Sequence, residues 1–439
     1  MTDPVPTSTT PAAPSPVAAE PADISARGAT GVGVASLAAA AAGYLVLLIA
    51  ANVLDKAQNA DFLTFWGLLF FLFGTLGGLQ SEVTRAVHVA RTAAPVTSVP
   101  TGPSTDRAHG PRVLVVGLLL GTALAALVTA TAPLWAGAVL GPQPWAAVAV
   151  VALGTVAFAG HSAVAGTLAG RGRWAPYAVL VGAEALVRLL LVAVAALAVA
   201  GTGLPTAVRV AAGAGATTWL LLSILPVFRG AWDERAESAG LLGGAAHAMV
   251  GTASSAALVV GFPVLLRVTT DPEVFGTSAA PLLLAVVLTR APLLIPLNAY
   301  QGVAITYFLN HRGAGPLLRL GGMVLGVGIV GAAAAALVGP WFMDVLFPSG
   351  YGVEPLVLGG LTLTAAFLGL LTLSGAATLA LGGHRAYAVG WVVATACSGV
   401  ALLMPGSIEA RVVLALAVGP LVGVLVHGIW VRSALRGRR

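Results

Sequence analysis

Two ionisable residues interrupt an apolar run that reads YAVLVGAEALVRLLLV over residues 177–192: Glu184 and Arg188. They stand four residues apart with the acid first, which on a helix brings them onto one face in the favourable order for an ion pair. A lone charge near a bilayer centre costs about 2.5–3.5 kcal/mol on insertion scales, so mutual neutralisation explains how both survive there. The same pair could equally serve a substrate or a coupling ion. Arg290, in PLLLAVVLTRAPLLIPLN, has no acid three or four residues away. Its guanidinium can bind a phosphate as a fork, snorkel to an interface, or donate to carbonyls freed by Pro292 and Pro296. Gln80, Gln301 and Asn298 are candidate contacts for sugar hydroxyls, and each can equally satisfy a neighbouring helix. One mid-span carboxylate against two guanidiniums leaves a surplus positive charge, expected to face a protein interior or an aqueous cavity.

Reaction chemistry finds little footing. Asp55 and Asp61 lie six residues apart in the first outer loop with no histidine beside them and read as loop acids. GHSAV, residues 160–164, lacks the spacing of a nucleophile elbow and sits inside an apolar run. No phosphate-cradling GxxxxGK[ST] occurs, and the single lysine, Lys56, leaves none to find. The single cysteine, Cys397, rules out a disulfide within the chain and a cysteine metal cluster. No catalytic residue, metal or cofactor is expected, and the chain is read as not an enzyme.

The elements that hold these residues follow from composition. The chain is 58% hydrophobic and 9% charged, with a mean hydropathy of +0.95, far from the roughly 25% charged residues of globular proteins. Runs of eighteen or more apolar residues read as spanning helices. Twelve occur, near residues 31–53, 62–84, 112–132, 145–169, 176–200, 204–228, 241–266, 280–308, 316–338, 354–379, 386–404 and 410–431. Of the 22 lysines and arginines, Arg188 and Arg290 fall within spans. With the N-terminus inside, only Lys56, Arg209, Arg267 and Arg411 lie outside, leaving sixteen on the inner side. That asymmetry predicts both termini in the cytoplasm of a plasma-membrane protein, and it accounts for the net charge of +6 without a nucleic-acid partner. Trp145, Trp174, Trp341 and Trp430 near run ends read as interface anchors.

The expected organisation is a disordered Pro/Ala/Ser/Thr tail over 1–29, a six-helix lobe over 30–228 with a flexible cytoplasmic loop at 92–110, a linker over 229–240, a second six-helix lobe over 241–431, and a basic tail over 432–439. Internal repetition supports the two lobes. TLAGRGRWAPYAV from Thr167 aligns with TLALGGHRAYAV from Thr378 with one gap, and Gln80 and Gln301 each precede an arginine, Arg91 and Arg312, by eleven residues. Six crossings return the chain to its starting side, so the lobes are parallel repeats around a central cavity, an all-α polytopic architecture with the substrate path near the midplane. The extracytoplasmic loops are short, the longest being GPWFMDVLFPSGYGV at 339–353, with little room for a polymerase or glycosyltransferase site.

TLAGRGRWAPYAVLVGAEALVRLL, together with FWGLLFFLFGTLGGLQSEVTRAV at 65–87, resembles the polysaccharide flippase branch of the multidrug/oligosaccharidyl-lipid/polysaccharide (MOP) exporter superfamily. The resemblance implies two six-helix bundles that move a lipid-linked saccharide across the membrane by alternating access. The partners it implies are that substrate, the bilayer and a coupling ion, proton or sodium. The two additional helices of lipid II flippases are not found. Nor does the first run carry the early-helix carboxylate on which the drug-extruding branch often relies. Both absences favour the saccharide reading over its alternatives, a small-molecule antiporter of the same fold and a membrane glycosyltransferase or polymerase.

Overall fold

The structure, a computed structural model, describes residues 26–92, 111–141, 144–235, 240–299, 308 and 314–436. Residues 1–25 of the expected 1–29 tail, most of the loop at 92–110, and Gln301 lie outside the described residues, while the last four residues of that expected tail are helical, at the start of the first helix. The remainder is helical apart from turns and one isolated bridge between Arg112 and Arg235. The helices are α1 Ala26–Val53, α2 Lys56–Thr92, α3 Val113–Leu140, α4 Trp145–Gly170, α5 Trp174–Ala198, α6 Leu204–Ala214, α7 Thr218–Leu222, α8 Pro226–Arg229, α9 Leu241–Val259, α10 Phe262–Thr269, α11 Pro272–Ala299, α12 Ala314–Leu346, α13 Pro355–Ala380, α14 His384–Ala401 and α15 Ile408–Arg436.

Among the described residues, ten helices are long and apolar enough to cross a membrane. The sixth and eleventh runs complete twelve passages in another form. The sixth consists of α6, a 3₁₀ turn at Gly215–Thr217, α7 and α8, and at the turn Gly215 packs against Arg188: a Cβ there would lie 2.5 Å from the arginine's own Cβ. The eleventh, α14, spans only 18 residues and opens on His384 and Arg385. The seventh run also breaks, at Val260–Gly261 between α9 and α10, ahead of Pro263, whose ring removes a helical donor. Two boundaries are corrected outward. Asp61 lies inside α2 rather than in a loop, and α15 continues through the expected basic tail to Arg436.

The two halves pack alike. The packing of α1 on α5 is matched by α9 on α14, α2 on α4 by α11 on α13, α3 on α4 by α12 on α13, and α5 on α6 by α14 on α15. The repeated turn is closed identically in both. Arg173 N–H donates to the Leu168 carbonyl at 2.8 Å and Gly383 N–H to that of Thr378 at 2.9 Å, around Gly172 and Gly382, whose φ values of 68° and 84° favour glycine. On the lipid side α12 packs mainly on α13 and exposes Leu318, Val330 and Leu337, as expected of a surface solvated by acyl chains. The chain is a multi-pass membrane protein.

The halves meet along α2. A Cβ on Gly78 would lie 2.4 Å from the backbone of Ala248 and Met249 on α9, an approach that only glycine permits between membrane helices. Thr252 Oγ1 donates to the Thr75 carbonyl at 2.8 Å along the same seam. At the arginine-poor face, Asn59 Nδ2 donates to Tyr351 Oη at 3.1 Å, both residues being buried, and Lys56 Nζ stands 6.0 Å from the centre of that tyrosine ring. Burial pushes the Tyr351 hydroxyl above its ordinary range, with the Asn59 hydrogen bond opposing the shift and the nearby Asp55 adding to it. It therefore keeps its proton through the physiological range.

Candidate functional site

Arg290 is buried on α11, and its Nη1 donates to the Val259 carbonyl at 3.1 Å. In a continuous helix that carbonyl would accept from residue 263, which is proline and has no N–H to give. The arginine therefore caps the break between α9 and α10. Expected partners at Pro292 and Pro296 are corrected accordingly: the carbonyl that Arg290 caps is that of Val259, freed by Pro263 on a neighbouring segment. The Phe262 ring lies 5.7 Å from the guanidinium carbon.

Arg290 lines a cavity of about 230 Å³ to which both halves contribute. The first half supplies Tyr44 from α1 and Trp66, Gly67 and Phe70 from α2; the second supplies Val259, Phe262 and Pro263 from around the break and Val286 and Val287 from α11. Tyr44 reaches across to donate to the Val287 carbonyl at 3.3 Å. Tyr44 is nine residues from the end of α1 and Trp66 ten from the start of α2, about 15 Å along each helix at ~1.5 Å per residue, so the cavity sits near mid-membrane.

Glu184 and Arg188 pair directly on α5, both buried, as their spacing implies. The guanidinium carbon of Arg188 also lies 4.8 Å from the Phe70 ring centre, 5.3 Å from that of Phe73 and 5.9 Å from that of Trp66. Cations over aromatic faces are attracted by the ring quadrupole, more strongly when desolvated. Trp66 and Phe70, stacked on each other with centroids 4.4 Å apart, are thus shared: they touch Arg188 on one side and line the Arg290 cavity on the other. Behind them Phe73 stacks on Phe158 at 4.0 Å, and Phe158 on the buried His161 at 4.9 Å. Among the described residues, His161 Nδ1 and Arg188 Nε have no hydrogen-bond partner.

The structure therefore brings Arg290, Arg188 and Glu184 to one region and does not bring Gln80 there. Gln80 Nε2 donates to Tyr177 Oη at 3.2 Å, tying α2 to the start of α5. The backbone of Asn298 is helical on α11, but its side chain is outside the described residues, as is all of Gln301. Sequence reasoning missed Tyr44, Trp66, Phe70 and His161. A signal existed for the aromatic residues: Phe62, Trp66, Phe70 and Phe73 recur at helical spacing along α2. No group of three or more potential metal ligands occurs among the described residues.

No family model matches the chain. Over 403 residues it is 38% identical to Uncharacterized protein Rv3630 of Mycobacterium tuberculosis, covering 90% of each chain. Over 405 residues it is 38% identical to Uncharacterized protein Rv1510 of the same organism, covering 90% of this chain and 89% of that one. Among solved structures it resembles the inward-facing conformation of a multidrug resistance MATE family transporter of the MOP superfamily, with a TM-score of 0.65 at 13% identity over 92% of this chain and 98% of that one. The outward-facing conformation of such a transporter gives 0.63 at 13% identity over 94% and 97%. A MOP superfamily transporter from Pyrococcus furiosus, described as having a binding pocket of reversed polarity that suggests a different function, gives 0.62 at 14% identity over 94% and 96%.

Proposed function

The chain belongs to the family of the Mycobacterium tuberculosis proteins Rv3630 and Rv1510 and has the fold of MOP-superfamily transporters, and on that premise we propose that it moves an anionic lipid-linked saccharide across the plasma membrane by alternating access. The observation that carries this reading is Arg290. It is a buried guanidinium at a mid-membrane cavity between the halves, held by one backbone carbonyl and one ring. A carbonyl cap is a neutral partner, which a phosphate oxygen can replace with a charge-assisted bond. The apolar and aromatic lining suits the lipid-proximal part of such a molecule. At about 230 Å³ the cavity is below the ~300 Å³ of ordinary ligand pockets, so admitting such a molecule requires it to widen. Arg290→Ala should abolish transport of a polyprenyl-diphosphate-linked saccharide into reconstituted vesicles at normal protein abundance, whereas Arg290→Lys retains part of it through the remaining charge. Full transport by Arg290→Ala would remove the anion site.

A small-molecule antiporter is the second reading, favoured by the multidrug resistance transporters among the structural neighbours. An organic cation carried by Arg290→Ala and wild type alike would select it. In either case the arginine-rich face is cytoplasmic in this proposal. Cysteines replacing Ser349 should label from outside in a Cys397-free background, and those replacing Arg171 or His384 should not.

A further inference from the structure

The Glu184–Arg188 pair stands behind the cavity wall rather than in the cavity, and that position gives it a sign. With both groups ionised the pair contributes no net charge, and Arg290 alone supplies the positive field at the cavity. When Glu184 takes up a proton from water its charge is lost while the guanidinium of Arg188 keeps its own, and the region behind Trp66 and Phe70 gains one positive charge. Those two rings separate the guanidinium from the cavity by a single aromatic layer, and a buried charge is poorly screened across such a layer. We infer that Glu184 is a proton-binding site linked positively to the anion site at Arg290, so that the anionic substrate and a proton are bound together rather than in exchange. The inference rests on the anion reading of Arg290 and adds the coupling ion and its sense.

The surroundings of Glu184 support a proton as the ion. Among the described residues the other charged or titratable groups on the packed elements are few. Helix α4 offers His161 and α6 offers Arg209, whose guanidinium lies 6.0 Å from the Phe65 ring centre. Helix α1 offers Tyr44, which is turned to α11. Helix α2 faces the pair with Trp66, Phe70 and Phe73, and the Gly215–Thr217 turn and α7 bring no charge. Sodium needs a shell of about six oxygens, as hard cations do, and one carboxylate already bonded to a guanidinium does not supply it. The unpartnered Nε of Arg188 leaves that side chain a donor to spare when the carboxylate is neutralised.

Linkage is reciprocal: whatever factor the proton adds to anion affinity, the anion adds to proton affinity. The test measures binding of a polyprenyl-diphosphate-linked hexose to the full-length protein in nanodiscs at pH 5.5 and pH 8. Both phosphates of this probe are diesters, so its own charge is constant over that range. Wild type should bind about tenfold more tightly at pH 5.5, within the ordinary range of coupling energies. Glu184→Gln should bind tightly at both values, and Glu184→Gln with Arg188→Gln weakly at both, since the double change restores a neutral pair without a proton. The double variant also guards against a single variant that misfolds around an unpaired Arg188. His161→Gln should keep the wild-type pH dependence. Binding that is sensitive to Arg290→Ala but independent of pH in wild type overturns the coupling, as does a pH dependence surviving in Glu184→Gln. PH dependence that disappears in Glu184→Gln while Arg290→Ala binds normally supports the proton site and overturns the Arg290 site alone. Absence of binding at both pH values overturns both.

Discussion

The two halves share a turn and differ in charge from seven residues past the tyrosine that follows it. Counting from Tyr177 in the first half, Glu184 and Arg188 fall seven and eleven residues on; counting from Tyr387 in the second, the same steps reach Ala394 and Ser398. Each half answers with a glycine on its last passage. Gly215 lies against Arg188 and Gly419 against Ser398, whose Oγ would be 1.9 Å from a Cβ placed there. The chemistry between these glycines and their partners differs. Ser398 donates to the Ala415 carbonyl at 2.8 Å, and the second half's polar core is completed by His427, whose Nε2 donates to the Tyr387 carbonyl at 3.2 Å while its Nδ1 meets Ser374 Oγ at 3.0 Å. At these positions the second half uses neutral groups with partners. The first half uses a buried ion pair, and its last passage tightens into a 3₁₀ turn at Gly215 beside the arginine, while α15 runs unbroken. On a similar packing frame, one half places charge where the other has hydroxyl and imidazole.

The largest test of that contrast is Arg188→Leu. It leaves the Glu184 carboxylate buried and uncompensated, and breaking such a pair costs about 3–5 kcal/mol. Ser398→Ala in the second half should cost about 1 kcal/mol, the net worth of a neutral hydrogen bond. Heat challenge followed by size-exclusion recovery in detergent would rank them, and Glu184→Gln added to Arg188→Leu should recover most of the loss. Equal costs for Arg188→Leu and Ser398→Ala would erase the distinction between charged and neutral cores.

An intermediate effect is expected at the paired glycines. Gly215→Ala and Gly419→Ala each force a methyl group into occupied space, at about 1–3 kcal/mol for overpacking. Because the sixth passage is already broken at Gly215 and α15 is continuous at Gly419, Gly419→Ala should be the costlier of the two by the same recovery assay. The reverse order would mean that the break confers no compliance. The smallest effect belongs to the latch at the arginine-poor face. Asn59→Ala should cost about 1 kcal/mol of stability and shift the protein toward opening on that face. A short bis-methanethiosulfonate reagent joining Asn59→Cys to Tyr351→Cys in a Cys397-free background, by a disulfide at each end with loss of methanesulfinate, should stop transport, and reducing the link should restore it. Transport by the linked protein would show that this contact need not part.

Much of this frame was legible because lipid imposes length: twelve runs read from hydropathy correspond to twelve helical passages, each run overlapping its helix. The Glu184–Arg188 pair was legible because four residues on a helix is a local relation. The cap on Arg290 was not, because its acceptor, Val259, lies 31 residues away in sequence on a helix whose break follows from Pro263 and not from the prolines beside the arginine. The bond made by Gln80 was hidden for a similar reason: its partner Tyr177 is 97 residues on, and only tertiary packing brings the start of α5 against α2. In each case an apolar sequence fixes which residues are within a span and leaves open which of them face one another.

The connection between the halves is shorter than its sequence suggests. Arg171 pairs with Glu234 and donates to the Gly230 carbonyl at 3.2 Å, and Val113 N–H donates to the Glu234 carbonyl at 2.9 Å. The first dozen residues after the sixth passage are therefore stitched onto the first half, and the span from Arg235 to Leu241 alone can stretch between bodies. Six residue steps reach about 20 Å at full extension. Such a leash sets an upper limit on how wide the halves can part at the arginine-rich face. It sets none at the opposite face, where the halves are held by contacts that can be released and not by covalent reach. Covalent reach thus bounds the gape at one face of the membrane and leaves contacts alone to bound it at the other.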